Sequence, residues 1–232
     1  MPQTVWIARH GNRLDFVNPD WFNTAARPYD PPLSEDGIVQ AQELGDRLRG
    51  AGIRHIFASP FLRTVQTAHE VAKILDRPLW LEAGLSEWLN PAWMPTYPET
   101  EAREILAAQY TTIDLSYSAA IQPHYPESEA DVAARTAKTV QHLVGHYRED
   151  LLLVGHGASV LGTAHGLVAG KPEIQASFCC LVQIVATTTK VQTIPSSSQR
   201  GRGNASSNHA ISPTARNPTM VMAKNCGPSP TS

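Results

Sequence analysis

The sequence predicts an α/β domain with a mostly parallel central sheet, and three observations support this prediction. Short apolar runs of strand length alternate along the chain with longer stretches of helical period. Hydrophobic residues make up 42% of the chain and charged residues 17%, which is typical of a globular protein with a sizeable core. The 232 residues are enough for one such domain, in which right-handed crossovers would connect the parallel strands.

The strands and helices are predicted from these two periods. The apolar runs predict five strands, at Thr4–Ala8, Ile53–Ala58, Pro78–Leu81, Leu151–Val154 and Phe178–Val185. The stretches of helical period predict four helices, at Ser34–Ala51, Leu62–Leu75, Glu99–Gln109 and Glu129–Tyr147. The first helix has the clearest ends, because Ser34 is a typical N-cap, acidic residues follow it, and Gly50 and Gly52 come after the last turn.

The composition changes at Pro195 and predicts a boundary there. The last 38 residues contain no aromatic residue, Leu, Asp or Glu, and their charged residues are all basic. Such a segment buries too little apolar surface to offset the entropy of ordering it. We therefore expect one folded domain over residues 1–194 and a low-complexity, disordered tail over residues 195–232.

Charge and cysteine content limit the class of protein. The formal net charge of −2 argues against a nucleic-acid or anionic-membrane partner. Three cysteines do not form a disulfide framework, and the chain starts without a signal-peptide pattern, so we expect a cytoplasmic protein. No apolar stretch reaches membrane-spanning length. The oligomeric state stays open, a homodimer included.

Three of the predicted strands end in cationic or titratable side chains. Arg9 and His10 follow the first strand, Arg63 follows "SPFL" after the second, and His156 follows "LLLVG". A lone histidine at a strand end, or a lone arginine early in a helix, is ordinarily a surface residue. Ligands of open α/β sheets bind outside the carboxyl ends of the strands, however, and here the pattern occurs three times. Two arginines and two histidines at one edge indicate an anion site, most simply for a phosphoryl group.

Five segments carry a family resemblance. They are "RHG" at 9–11, "PLSEDGIVQAQELG" at 32–45, "SPFLRTVQTA" at 59–68, "GLSEW" at 84–88 and "GHGAS" at 155–159. In this order they resemble the histidine phosphatase superfamily, also called phosphoglycerate-mutase-like. The chain looks most similar to the branch with ecdysteroid-phosphate phosphatases and the phosphatase domains of T-cell-receptor-signalling suppressors. The resemblance implies a three-layer sandwich with helices on both faces of the sheet.

The resemblance also implies a mechanism. His10 would be the nucleophile that forms a phosphohistidine, with the Gly11 carbonyl holding its other ring N–H. Arg9, Arg63 and His156 would bind the phosphoryl oxygens, so that no metal or other cofactor is required. Glu87 matches the general acid, with Glu82 and Glu99 as nearby alternatives.

The substrate contacts are predicted from the loops beside this site. The position after "RHG" is Asn12, where the family often has Glu or Gln, and Arg13 follows it, either as a pocket cation or as a solvated side chain. Trp21 and Trp88 lie in aromatic loops that either pack on the sheet or line a pocket for a bulky or aromatic leaving group. We expect hydrolysis of a phosphorylated small molecule. The alternatives are a phosphoglycerate mutase and a non-catalytic protein that binds a phosphorylated ligand.

Overall fold

The computed structural model describes residues 2–186 and 218–222 and contains a six-stranded sheet with helices on both faces. The strands are β1 (Thr4–Arg9), β2 (Ile53–Ala58), β3 (Leu79–Leu81), β4 (Asp150–Gly155), β5 (Leu181–Ala186) and β6 (Pro218–Met222). The helices are α1 (Trp21–Thr24), α2 (Glu35–Arg47), α3 (Leu62–Leu75), α4 (Arg103–Gln109), α5 (Glu129–His146) and α6 (Gly157–Leu167). Short 3₁₀ turns lie at Leu14–Phe16 and Ala83–Leu85. In the part of the chain that the structure describes, no helix is long and apolar enough to cross a bilayer.

The sheet is mostly parallel, as the alternation of strands and helices predicts. The strand order is β3-β2-β4-β1-β5-β6, in which β3, β2, β4 and β1 run parallel and β5 and β6 are antiparallel additions. Strand β6 lies inside the predicted tail and pairs with β5 over five residues. The rest of that tail, residues 195–217 and 223–232, lies outside the described residues.

Two buried clusters make the domain three-layered. Side chains alternate along a β-strand, so Leu152 and Val154 of β4 face one side of the sheet while Leu151 and Leu153 face the other. The first pair packs in a cluster with α2 and α3, and the second pair packs with α5 and α6. Because the central strand is buried on both faces, it appears in the sequence as a continuous apolar run.

Helix α6 is the one long element that the periodicity did not predict. Its sequence is rich in glycine, a poor helix former, and its apolar residues do not form a single stripe. Glycine is required there because α6 packs closely on α5. A Cβ at Gly162 would lie 1.9 Å from Thr136 Oγ1, and one at Gly166 would lie 2.7 Å from the Cα of Ala137.

Three predicted ends differ from the structure by three residues or more. Helix α2 ends at Arg47, four residues before the predicted end at Ala51. Helix α4 begins at Arg103, four residues after the predicted start, since the preceding residue Ala102 is extended. Strand β5 begins at Leu181, because Cys179 adopts a left-handed conformation with φ of 48° that a regular strand does not contain.

The carboxyl ends of three adjacent parallel strands create the site. Arg9 of β1 pairs with Gly155 of β4, and Ala58 of β2 pairs with Val154. The residues that follow these strand ends, His10, Ser59 and His156, therefore meet at one edge. His10 N–H continues the ladder by donating to the Gly155 carbonyl at 3.0 Å.

Candidate active site

His10 is completely buried and its two ring nitrogens have different surroundings. Nδ1 lies 2.7 Å from the carbonyl oxygen of Gly11, which can only accept, so the proton is assigned to Nδ1. Nε2 is left with a lone pair and makes no hydrogen bond to the protein. Burial, followed by the charges of Arg63, His156 and Arg9, holds the His10 pKa well below 6.5. The ring is therefore neutral and nucleophilic at neutral pH.

Gly11 contributes to this arrangement through its backbone. A Cβ at Gly11 would lie 2.5 Å from the carbonyl oxygen of Gly37 in α2, so any other residue would push the loop away from that helix. Its N–H donates to Thr67 Oγ1 on α3 at 3.1 Å. The carbonyl that orients His10 is thus fixed by two helices on the same face of the sheet.

His156 faces the same space from the end of β4. Its Nε2 lies 2.9 Å from Ser59 Oγ, and its Nδ1 lies 3.3 Å from Glu87 Oε2. The carboxylate beside Nδ1 assigns the proton to that nitrogen, so the Ser59 hydroxyl donates to Nε2. Burial lowers the His156 pKa to about 4, although Glu87 opposes that shift.

Arg63 extends from the first turn of α3 and is 2% exposed. Its polar contacts are long: Nη2 lies 3.4 Å from Glu87 Oε2, Nη1 lies 3.5 Å from the Tyr29 carbonyl, and Nε has no partner. Burial lowers its pKa to about 10, so it stays a cation near neutrality. Much of its hydrogen-bonding capacity is therefore available for an anion.

Arg9 lies on the other side of His10. Its guanidinium stacks over the Phe178 ring at 4.4 Å, and Nη1 donates to the Ala176 carbonyl at 2.7 Å. Phe178 also contacts the His10 ring, with 5.7 Å between centroids. Phe178 and Ser59 were not predicted as site residues. Phe178 lies in the apolar run that predicts the last strand, and only the position of Ser59 directly after β2 could have indicated its role.

Glu87 is the acid that the structure brings to the histidines. One side-chain atom from each of His10, Glu87 and His156 lies within 4.8 Å of the other two. Burial would raise the Glu87 pKa, but His156, Arg63 and His10 together hold it well below 4.5. Three such atoms could ligate a metal, yet the adjacent Arg63 and Arg9 guanidinium groups make the site positive and favour an anion.

The two other glutamates have different surroundings. Glu82 is buried and accepts hydrogen bonds from the Gly84, Ala120 and Ile121 N–H groups and from the Tyr117 hydroxyl. Its oxygens are occupied in holding the chain around the Ala83–Leu85 turn. Glu99 is exposed and lies in a separate cavity beside Tyr97.

Of the predicted substrate-binding residues Asn12 and Arg13, only Arg13 lines the cleft beside the site. Arg13 lines a cleft of about 220 Å³ together with Arg63 and Glu87, and it pairs with Asp15. Asn12 instead donates to Asp36 Oδ2 at 2.9 Å, so its side chain faces the start of α2.

Both predicted tryptophans bind backbone carbonyls. Trp21 Nε1 donates to Pro28 and Trp88 Nε1 donates to Glu127, each at 2.9 Å. The cleft is lined by Phe22, Tyr29, Trp93 and Met94 from the same two loops. The sequence identified the aromatic loops, but an irregular loop has no period from which the orientation of a particular ring could be predicted.

Fold and site together define an α/β protein with a candidate anion site, lined by histidines and arginines, at the carboxyl edge of its sheet. The sequence model of the Histidine phosphatase superfamily (branch 1) matches residues 5–191, so the chain belongs to this family.

Curated relatives are similar in sequence, and solved structures share the fold. The chain is 31% identical over 177 residues to the transcription factor tau 55 kDa subunit of Saccharomyces cerevisiae, covering 71% of this chain and 41% of that protein. It is 25% identical over 208 residues to the ecdysteroid-phosphate phosphatase of Drosophila melanogaster, covering 73% and 27%. The ecdysone phosphate phosphatase of Bombyx mori, solved with tungstate, superposes with a TM-score of 0.68 at 22% identity, covering 86% of this chain and 98% of that one. The chain thus spans less than half the length of these two curated relatives.

Proposed function

We propose that this protein hydrolyses phosphomonoesters through a phosphohistidine on His10, without a metal. The observation that carries the proposal is the buried, unpartnered Nε2 of His10, whose side chain lies beside the Glu87 carboxylate and His156 and in the field of Arg63. A neutral imidazole lone pair surrounded by cations is suited to attack the phosphorus atom of an anionic ester.

The first step forms the phosphoenzyme. Arg9, Arg63 and the Nδ1–H of His156 bind the phosphoryl oxygens while His10 Nε2 attacks phosphorus in line. The phosphorus–oxygen bond to the leaving group breaks, and Glu87 transfers its proton to the departing oxygen. The Nδ1–H bond to the Gly11 carbonyl stabilises the positive charge that develops on the ring.

The second step uses the same groups in reverse. Glu87, now a carboxylate, takes a proton from water, and the water oxygen attacks the phosphohistidine. The phosphorus–nitrogen bond breaks and its electron pair returns to Nε2, so phosphate leaves with a new phosphorus–oxygen bond and His10 regains its neutral ring. The residue that acts as acid in the first step thus acts as base in the second.

The protonation of Glu87 follows from charge competition. Its pKa is low because His156, Arg63 and His10 stabilise the carboxylate. A phosphate dianion bound to the same groups shares that stabilisation and adds a repulsive negative charge, so the Glu87 pKa rises in the substrate complex. Glu87 can therefore carry the proton that the leaving group needs.

The cleft favours a bulky or aromatic leaving group. Phe22, Tyr29 and Trp93 line the space next to Arg63 and Glu87, and Phe22 and Trp93 are more than half exposed. Pro28 and Tyr29 also line a second cavity of about 510 Å³, whose opposite side consists of Thr96, Tyr97 and Glu99. A leaving group with a large ring can bury its apolar surface against these side chains, whereas a small sugar acid has little apolar surface to bury.

Phosphate release from a substrate panel tests the function. We expect 4-nitrophenyl phosphate and larger aryl phosphates to be hydrolysed with a higher kcat/KM than 3-phosphoglycerate, and His10→Ala to abolish release from all of them. Equal or better hydrolysis of 3-phosphoglycerate would contradict the proposed leaving group. Transfer of phosphate between glycerate positions without release would indicate a mutase.

Phospholigand binding without turnover is the second candidate. The match to a transcription factor subunit favours it, since that relative is named for an assembly and not for a reaction. In this case wild type and His10→Ala would both bind an aryl phosphate or vanadate and neither would release phosphate. Loss of turnover with retained binding in His10→Ala alone supports the enzyme.

A further inference from the structure

Arg135 holds the segment that carries Glu87 by hydrogen bonds to its backbone. From the second turn of α5, Nη1 donates to the carbonyls of Gly84 and Ser86 at 2.9 and 3.1 Å. Nη2 donates to the carbonyl of Glu87 at 3.0 Å. Three carbonyls of one short segment are thus bound by a single guanidinium.

Glu127 completes the arrangement. Its carboxylate receives Arg135 Nε at 2.5 Å and Nη2 at 2.7 Å, and it accepts the Leu89 N–H at 3.1 Å. Its backbone donates to the Leu89 carbonyl and accepts the Trp88 indole N–H. Glu127 and Arg135 therefore fix residues 84–89 on both sides of Glu87, and we call this pair the Arg135–Glu127 clamp.

The clamp uses the full capacity of the guanidinium. Arginine has five N–H groups, and Arg135 makes five hydrogen bonds to the protein while only 7% exposed. Residues 86–89 themselves belong to no helix or strand. A buried ion pair is no better for stability than apolar residues of the same size, so its value lies in the geometry that it imposes.

We propose that the Arg135–Glu127 clamp is the positioning device of the general acid. It fixes the backbone of Glu87 so that the carboxyl group reaches the leaving oxygen of the bound ester. This role rests on the proposed function of Glu87 as general acid. A misplacement of about 1 Å in such a group is enough to cost about 100-fold in rate.

The leaving group provides a specific readout. An ester such as 2,4-dinitrophenyl phosphate departs as a stable anion and needs little protonation, whereas phenyl phosphate departs as a strong base and needs the acid. Loosening the clamp should therefore slow phenyl phosphate far more than 2,4-dinitrophenyl phosphate. General instability of the protein would slow both esters equally.

The test compares Arg135→Lys and Glu127→Gln with Glu87→Gln. Lysine keeps a positive charge beside Glu127 but lacks the planar fork that reaches three carbonyls. We expect kcat/KM for phenyl phosphate to fall about 100-fold in the clamp variants, within the 10²–10⁴-fold range of general acids. For 2,4-dinitrophenyl phosphate we expect a fall of less than about 3-fold, the pattern of Glu87→Gln.

Arg103→Lys is the matched control. Arg103 also holds backbone carbonyls, those of Leu115 and Tyr117, but contacts no residue of the 84–89 segment through those bonds. It should leave both esters unaffected. Trp88→Phe removes the indole N–H bond to Glu127 and shortens the ring that contacts Trp93. It should shift the ratio of the two rates in the same direction by a smaller factor, and it replaces the charge variants as the test if they do not fold.

Three results would overturn the proposal. Equal losses on both esters would show that the clamp is merely structural, and unchanged rates would show that Glu87 needs no such support. If Glu87→Gln itself affects both esters equally, the general-acid assignment fails together with the clamp. If Glu87→Gln discriminates between the esters and the clamp variants do not, only the clamp proposal fails.

Discussion

Arg63 and Arg135 are both buried cations close to Glu87, but they differ in how far the protein satisfies them. Arg135 makes five hydrogen bonds of 2.5 to 3.1 Å. Arg63 makes two hydrogen bonds, of 3.4 and 3.5 Å, and leaves its Nε without a partner. Arg63 is the less exposed of the two, at 2% against 7%.

This difference distinguishes a binding group from a structural one. A buried donor without a good acceptor costs free energy. Arg63 therefore lowers the stability of the folded protein unless an anion binds it. The surroundings of Arg135 are complete within the protein and leave no N–H for a ligand. Among the described residues, six buried side-chain N or O atoms lack a hydrogen-bond partner, and four of them belong to the proposed anion site: Arg63 Nε, Arg9 Nε, His10 Nε2 and His156 Nδ1.

Replacing Arg135 by Met should have the largest effect on stability. The change leaves the Glu127 carboxylate buried without its counter-charge, which typically costs about 3–5 kcal/mol. Denaturant unfolding should show this loss, and Arg135→Met/Glu127→Met should recover part of it because the uncompensated charge is gone. An unchanged unfolding midpoint in Arg135→Met would break the comparison.

Replacing Arg63 by Met should have the opposite result, a large loss of activity with a small change in stability. We expect kcat/KM for aryl phosphates to fall about 10²–10³-fold, as for loss of one transition-state donor. The free energy of unfolding should fall by less than in Arg135→Met, because Arg63 contacts the carboxylates of Glu87 and Asp30 only at 3.4 and 4.0 Å. A stability loss as large as that of Arg135→Met, with kinetics intact, would contradict the assignment of Arg63 to the anion site.

The two buried histidines, His10 and His156, should make stability depend on pH, an effect smaller than those of the arginine substitutions. His10 and His156 have pKa values below the unfolded value of about 6.5, that of His156 being about 4. Below pH 6.5 the unfolded chain binds more protons than the folded one, so stability falls as the pH is lowered. Each histidine contributes a slope of up to about 1.4 kcal/mol per pH unit, down to its folded pKa.

A His156→Gln variant sharpens this prediction. Its unfolding free energy would be measured by denaturant titration between pH 6.5 and 4.5. The slope of that free energy against pH should be smaller than in the wild type by the contribution of about one proton. A slope identical to that of the wild type would show that His156 is not buried in its neutral form.

The sequence predicts the parallel part of the sheet well, because strands buried on both faces appear as unbroken apolar runs. It does not predict α6, since the glycines that allow α6 to approach α5 also lower helix propensity. It also does not predict β6, which lies in a segment whose composition is that of a disordered tail. In both cases tertiary contacts outweigh the local signal.

The site was predictable where its residues come after a strand end or lie in a family motif. Arg63 and His156 come after strand ends, Glu87 lies in the motif "GLSEW", and the structure places all three around His10. Other site features depend on contacts across the fold. The bond from Ser59 to His156 joins residues 97 positions apart, and the side chain of Asn12 turns to Asp36. Spacing in the sequence contains no information on such contacts.

Trapping the phosphoenzyme tests the central claim most directly. The protein would be mixed with an aryl phosphate, quenched within the first turnovers and digested under conditions that preserve phosphohistidine, and its peptides would then be analysed by mass spectrometry. We predict one phosphoryl group on the peptide that contains His10, attached at Nε2 and absent in His10→Ala. Turnover without that adduct, or an adduct on another residue, would contradict the account.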